Sequence, residues 1–155
     1  MKCLEKDIEH HPPEYIDILI IDGFFILHAM KDVPKSFGNI SKKMLKMLTQ
    51  INAAGIDVTF DQYFTPIKDY ESSLRQECAQ LDFTITGPDQ VQPADLGKEL
   101  KNSHFKQALV NFFSLHWFTD EMAPFIGNKI IKVNFVACHT FIVINNTVIN
   151  DNKNY

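Results

Sequence analysis

The sequence predicts a three-layer α/β domain, and three features predict it. β-branched apolar runs at 16–21 and 56–60 flank a stretch, 40–54, whose apolar residues recur with helical period. Strand, helix and strand in that order imply a right-handed βαβ unit with two parallel strands. A β-branched tail from residue 130 adds further strands, the last two joined at Asn145-Asn146. The expected architecture is a small parallel sheet with helices, extended by a hairpin near the C-terminus.

Residues 1–15 form a polar leader with Glu5, Asp7, Glu9 and His10-His11-Pro12-Pro13. The prolines forbid a continuous helix, and the segment lacks the basic start and apolar centre of a signal peptide. The run Ile16-Asp17-Ile18-Leu19-Ile20-Ile21 has strand length and ends at Asp22-Gly23. Residues 24–30 are expected to add a helical turn or two, before Val33-Pro34 and Phe37-Gly38 mark a loop. Ile40, Met44, Met47, Leu48 and Ile51 line one face of a helix, with Asn39 or Ser41 as N-cap and Gly55 as its stop. The second strand covers 56–61.

After Pro66, residues 67–80 suit a polar helix, and Gly87-Pro88 with Pro93 punctuates a loop over 84–94. A longer helix over 103–118 carries Phe105, Leu109, Phe112, Phe113 and Trp117, and Pro124 and Gly127 close the region after it. Segments 130–136 and 140–149 read as strands, with a hairpin turn at Asn145-Asn146. The domain is therefore expected to span 16–150 as one unit, with 151–155 as a polar tail.

Composition narrows the function. A length of 155 residues with 45% hydrophobic content suits one packed domain. A net charge of -4 gives no general attraction to phosphate, so a nucleic-acid partner needs a local basic patch. Cys3, Cys78 and Cys138 lie far apart and outside any CxxC pair. That pattern fits reduced thiols in the cytoplasm or nucleus, and neither a disulfide framework nor a zinc site. The most apolar window, 16–30, is broken by Asp17 and Asp22 and is too short to cross a bilayer, so no membrane partner is expected.

Chemistry is expected where parallel strands end, because side chains there leave the core and face a crevice. Asp22 and Asp61 occupy two such ends. Two facing carboxylates repel unless a cation neutralises them, and oxygen-only ligands suit Mg²⁺ or Mn²⁺. The competing reading is structural: an Asp after a strand also serves as a turn former or helix N-cap.

Two segments, Ile18-Leu19-Ile20-Ile21-Asp22-Gly23-Phe24-Phe25 and Val58-Thr59-Phe60-Asp61-Gln62-Tyr63, resemble PIN-like and flap-endonuclease-like nuclease sequences. In that superfamily an apolar strand ends in Asp, and a second ends in Phe-Asp ahead of a helix bearing Lys and Arg. Lys68 and Arg75 take those places here, about two helical turns apart, and the resemblance implies that they position phosphate. The chain is also similar to a set of uncharacterised animal proteins, often associated with mobile elements. They share its Asp-Gly-Phe start, its Phe37-Gly38-Asn39-Ile40-Ser41 stretch and its Phe-Asp-x-Tyr segment. The likeness extends through His116-Trp117 and Asp120-Glu121-Met122.

The resemblance implies a three-layer PIN-like domain that hydrolyses phosphodiester bonds with Mg or Mn, held by Asp22 and Asp61. A later Glu-Glu-x-Asp cluster of those relatives has no counterpart before Tyr155. The acidic site is accordingly expected to be half built, its turnover weak or absent, and the chain the N-terminal portion of a longer protein. Pro66 directly before Ile67-Lys68 departs from the relatives' Ser at that place.

Other residues have more ordinary expectations. Asp120 and Glu121 should cap or begin a short turn before Pro124. His28 should be packed and hydrogen-bonded, and Phe112, Phe113, Trp117 and Phe118 should be core rather than a base-stacking surface. A haloacid-dehalogenase-like phosphatase is excluded because Phe24 stands where that chemistry needs a second Asp. The alternative from another class is a non-catalytic protein-interaction module that uses an exposed sheet edge, or a degenerate mobile-element-derived fragment.

Overall fold

The computed structural model describes residues 16–61, 83–135 and 137–153, and of 151–153 the backbone alone. The leader, the polar helix expected over 67–80, and with it Lys68 and Arg75, lie outside the described residues.

Strand β1, Ile16–Asp22, is followed directly by helix α1, Gly23–Ala29. Helix α2, Phe37–Thr49, leads to β2, Ala53–Thr59. A short helix α3, Leu96–Glu99, precedes the long α4, Ser103–Trp117. A 3₁₀ turn at Asp120–Met122 runs into α5, Ala123–Ile126. Three strands finish the chain: β3, Ile130–Phe135, β4, Ala137–Ile144, and β5, Thr147–Lys153.

The five strands form one mixed sheet in the order β1-β2-β3-β4-β5. β1, β2 and β3 are parallel, while β4 and β5 add antiparallel neighbours. The α/β class, the βαβ start and the terminal hairpin are thus observed. Asn145 and Asn146 have φ of 51° and 62°, the pair of positive values that a type I′ hairpin turn demands.

Side-chain alternation assigns the two faces of the sheet. Ile56, Val58, Ile131, Val133, Phe135, Phe141 and Val148 are buried against the helices, with Leu19 and Ile21 packed beside them. From α2 come Ile40, Met44, Leu45 and Leu48, and from α4 Phe105, Leu109, Phe113 and Trp117. One contiguous core holds both helices, so the described helices form a single layer on one face.

Several boundaries differ from those expected. α2 begins at Phe37, not Ile40, because Ser36 is the N-cap and its hydroxyl accepts from the Asn39 N–H. The stretch read as a loop is helical because a distant strap holds it: Phe37 N–H bonds to the Gln90 carbonyl and Gly38 N–H to the Pro88 carbonyl. Gly55 is not a helix stop; it is buried inside β2, which begins at Ala53. β4 begins at Ala137 rather than 140, and β5 continues into the polar tail as far as Lys153.

Candidate functional site

Asp22 closes β1 and caps α1 in the same step. Its Oδ1 accepts from the Phe24 N–H at 2.9 Å and the Phe25 N–H at 3.3 Å. Those amides are two of the donors that a helix start leaves without an intrahelical partner. The structural role anticipated as the competing reading of Asp22 is therefore present. Gly23 follows for a packing reason, since a Cβ there would lie 2.3 Å from the Phe60 ring. Phe60 in turn meets Phe24 edge-on at 5.0 Å and Phe135 at 6.4 Å between centroids. The Asp-Gly-Phe start and the Phe-Asp segment are thus two halves of one contact.

The register gathers oxygen donors at this end of the sheet. Asp22 lies beside Thr59, and Thr59 beside Asn134. The chain continues past Thr59 as an extension of the ladder, because the Phe60 N–H donates to the Asn134 carbonyl at 3.2 Å. Phe60 is buried in the core, and Asp61 follows it as an exposed residue two positions beyond the end of β2. Both carboxylates are exposed. Oδ2 of Asp22 makes no hydrogen bond to a described residue, and the Thr59 hydroxyl donates to the Ile21 carbonyl at 3.3 Å.

Asn134 was not foreseen from sequence. The signal was its place as a polar residue in the strand Ile-Ile-Lys-Val-Asn-Phe, two positions after Lys132, but naming its neighbours requires the register. These oxygens suit a hard divalent cation in kind. Among the described residues no three His, Cys, Asp or Glu side chains group around one point. At this strand end the register places one carboxylate, Asp22, beside neutral oxygens of Thr59 and Asn134.

A second polar cluster lies between α2 and α4. Ser41 and His116 are buried, with His116 Nδ1 2.8 Å from Ser41 Oγ. The Trp117 indole N–H donates to the Ser41 carbonyl at 3.4 Å, and Phe112 stacks on the imidazole at 5.2 Å. Burial holds the His116 pKa below its ordinary value; the Glu121 carboxylate opposes that shift and Lys42 adds to it. Sequence reasoning gave this pair no role, although Ser41 shares the buried helical face of Met44, Leu45 and Leu48. With no exposed surface on Ser41, the pair is a polar tie between helices rather than a nucleophile and base.

The remaining expectations divide. Asp120 begins the 3₁₀ turn, and its Oδ1 accepts from the Val148 N–H at 3.2 Å, which ties the turn to β5. Glu121 pairs with Lys42 of α2. His28, expected to be packed, is instead exposed, because it falls on the outer side of α1, whose inward residues are Phe24, Ile26 and Leu27. Phe112, Phe113 and Trp117 are core, while Phe118 is 49% exposed just past the end of α4.

On the side of the sheet opposite the helices, Ile18 and Ile20 are 55% and 70% exposed. The register continues Ile18 through Gly55 to Ile130, and on β4 and β5 Ile142 faces Ile149. Ile130 and Ile149 are also exposed. This face is apolar at one end and polar at the end of Asp22, Thr59 and Asn134. No described helix is long and apolar enough to cross a membrane. The chain matches no protein-family model, no curated protein and no solved structure in comparisons with each.

Proposed function

We propose that this chain is an intracellular, nuclease-related domain of PIN-like type, which binds Mg²⁺ or Mn²⁺ at the carboxyl edge of its parallel strands. The observation that supports the reading is the row Asp22, Thr59 and Asn134 across the ends of three neighbouring parallel strands, with Asp61 exposed two residues after Thr59. The cation would supply Lewis-acid stabilisation of charge on a phosphate. Asp22 and Asp61 would hold it, while Lys68 and Arg75 would position the nucleic-acid phosphate. Turnover by this chain is weak or absent, because two carboxylates with one of them also capping a helix hold a cation loosely.

Thermal unfolding with and without Mn²⁺ tests the proposal. At 10 mM Mn²⁺ and a Kd of about 1 mM, linkage gives about 1.4 kcal/mol, or roughly 3–5 °C in Tm for a chain of this size. Asp22→Asn retains a capping oxygen but loses the charge, so it should abolish the shift without unfolding the protein. Asp61→Asn should do the same. An unchanged Tm in the wild type refutes the cation site. Strong Mn²⁺-dependent cleavage of single-stranded or flapped DNA, lost in Asp22→Asn, refutes the weak turnover.

A second reading, a protein-interaction module, is favoured by the exposed isoleucines of the open sheet face. It does not depend on the carboxylates.

A further inference from the structure

β1 is an edge strand, hydrogen-bonded among the described residues to β2 alone. Its seven residues, Ile-Asp-Ile-Leu-Ile-Ile-Asp, carry no Lys, no Pro and no positive-φ residue, and their only charges are Asp17 and Asp22. Its two most solvent-facing apolar side chains, Ile18 and Ile20, lie on the same face of the sheet, one residue either side of Leu19. An edge of this kind is a template for another strand.

The strand is close to self-complementary about Leu19. Paired antiparallel with a second copy so that Leu19 faces Leu19, Ile18 falls opposite Ile20 of the other copy, and Ile20 opposite its Ile18. All seven residues then find a partner, and four exposed isoleucines gather on one face. The carboxylates do not oppose one another: Asp17 meets Ile21, and Asp22 meets Ile16. Shifting the register by one residue sets Ile18 against Leu19 and breaks the match of faces. Shifting it by two shortens the pairing and, in one direction, places Asp22 opposite Ile18. The fully paired register is thus the one that hydrophobic pattern and charge both favour.

We infer that β1 pairs antiparallel with β1 of a second copy of this chain, about a two-fold axis at Leu19, and joins two five-stranded sheets into one. The inference rests on the interaction reading above and is independent of the carboxylate pair. One strand edge and four isoleucines make an interface at the small end of the specific range, so association belongs at roughly tens to hundreds of micromolar protein. Two-fold closure is the commonest way for identical chains to assemble, and it leaves no β1 edge open to further addition.

The test is sedimentation equilibrium of the full chain over that concentration range, alongside Ile18→Lys and Ile20→Lys, with thermal melts to show that the variants fold. Both positions are exposed, so the fold should tolerate lysine. The expected result is a monomer–dimer equilibrium whose Kd rises at least about tenfold in each variant, which corresponds to 1.4 kcal/mol. A second measurement fixes the register in a background with Cys3, Cys78 and Cys138 replaced by Ser. Ile18→Cys mixed with Ile20→Cys should form an intermolecular disulfide faster than either alone, since directly opposed antiparallel residues meet the Cα spacing of a disulfide.

A dimer insensitive to both lysine variants overturns the inference. So does a monomer at every concentration, and a peptide of the β1 sequence then separates the two readings. If the monomer binds the peptide and Ile20→Lys does not, the edge accepts a strand from another protein and only the second copy is wrong. If the monomer does not bind it, the interaction reading of this edge fails as well.

Discussion

Replacing Ser41 by Ala should cost more than its size suggests. Ser41 Oγ sits 2.8 Å from His116 Nδ1 in a buried site, and His116 Nε2 has no hydrogen-bond partner among the described residues. Removing the hydroxyl leaves both ring nitrogens unpaired, and a buried polar group without a partner costs about 1–3 kcal/mol. The same environment sets a pH dependence. Burial lowers the folded-state pKa of His116 below 6.5, so the unfolded chain takes up the proton first as pH falls. Stability from keeping this imidazole neutral is therefore complete above about pH 6.5 and is lost as pH falls from there through the depressed folded value. The loss can reach about 1.4 kcal/mol per pH unit for one proton. Urea unfolding from pH 7.5 to 5 measures it, with His116→Phe as reference because a phenyl ring preserves the stack on Phe112. The stability of wild type relative to His116→Phe should fall with acidity. A constant or rising difference would refute the buried-neutral assignment. A Ser41→Ala loss under about 0.5 kcal/mol at pH 7.5 would refute the hydrogen-bond argument.

Further outcomes follow from single contacts. Glu121→Gln removes the carboxylate that opposes the downward shift of His116, so NMR titration should find its pKa lower still. Gly23→Ala drives a methyl into the Phe60 ring and should cost about 1–3 kcal/mol in urea unfolding, with partial rescue by Phe60→Leu. Asp22→Ala should lose about 1 kcal/mol as a missing N-cap while Asp22→Asn stays near wild type, which separates the cap from the charge. Asn146→Val places a β-branched residue at φ 62° and should cost about 1–2 kcal/mol by thermal unfolding.

The elements legible in the sequence are those whose signals are local. β1, α4 and the Asn145-Asn146 turn are written in β-branching, helical period and turn chemistry within a few residues. The start of α2 is not. Phe37-Gly38 reads as a loop until Pro88 is seen against Gly38, where a Cβ would come within 2.7 Å of the proline ring. That contact spans fifty residues of chain, and no window over the sequence contains it. Asp22 was legible as a strand-end carboxylate, whereas Thr59 and Asn134 became its neighbours only through the register.

The open sheet face follows from topology more than from composition. Strands β1, β2 and β3 are parallel and advance in one direction across the sheet. Right-handed crossovers between strands ordered this way deliver their helices to the same face, and the described helices of both connections do share one core. Nothing in the pattern of β1 alone reveals this, since Ile-Asp-Ile-Leu-Ile-Ile-Asp is nearly continuous in apolar residues, as a strand buried on both faces would be. Once the helices occupy one face, Leu19 and Ile21 join the core and Ile18 and Ile20 are left exposed. The excess of hydrophobicity in β1 over what its own core needs is therefore the feature that asks for a partner. Its near-symmetry about Leu19 makes another β1 a fitting one.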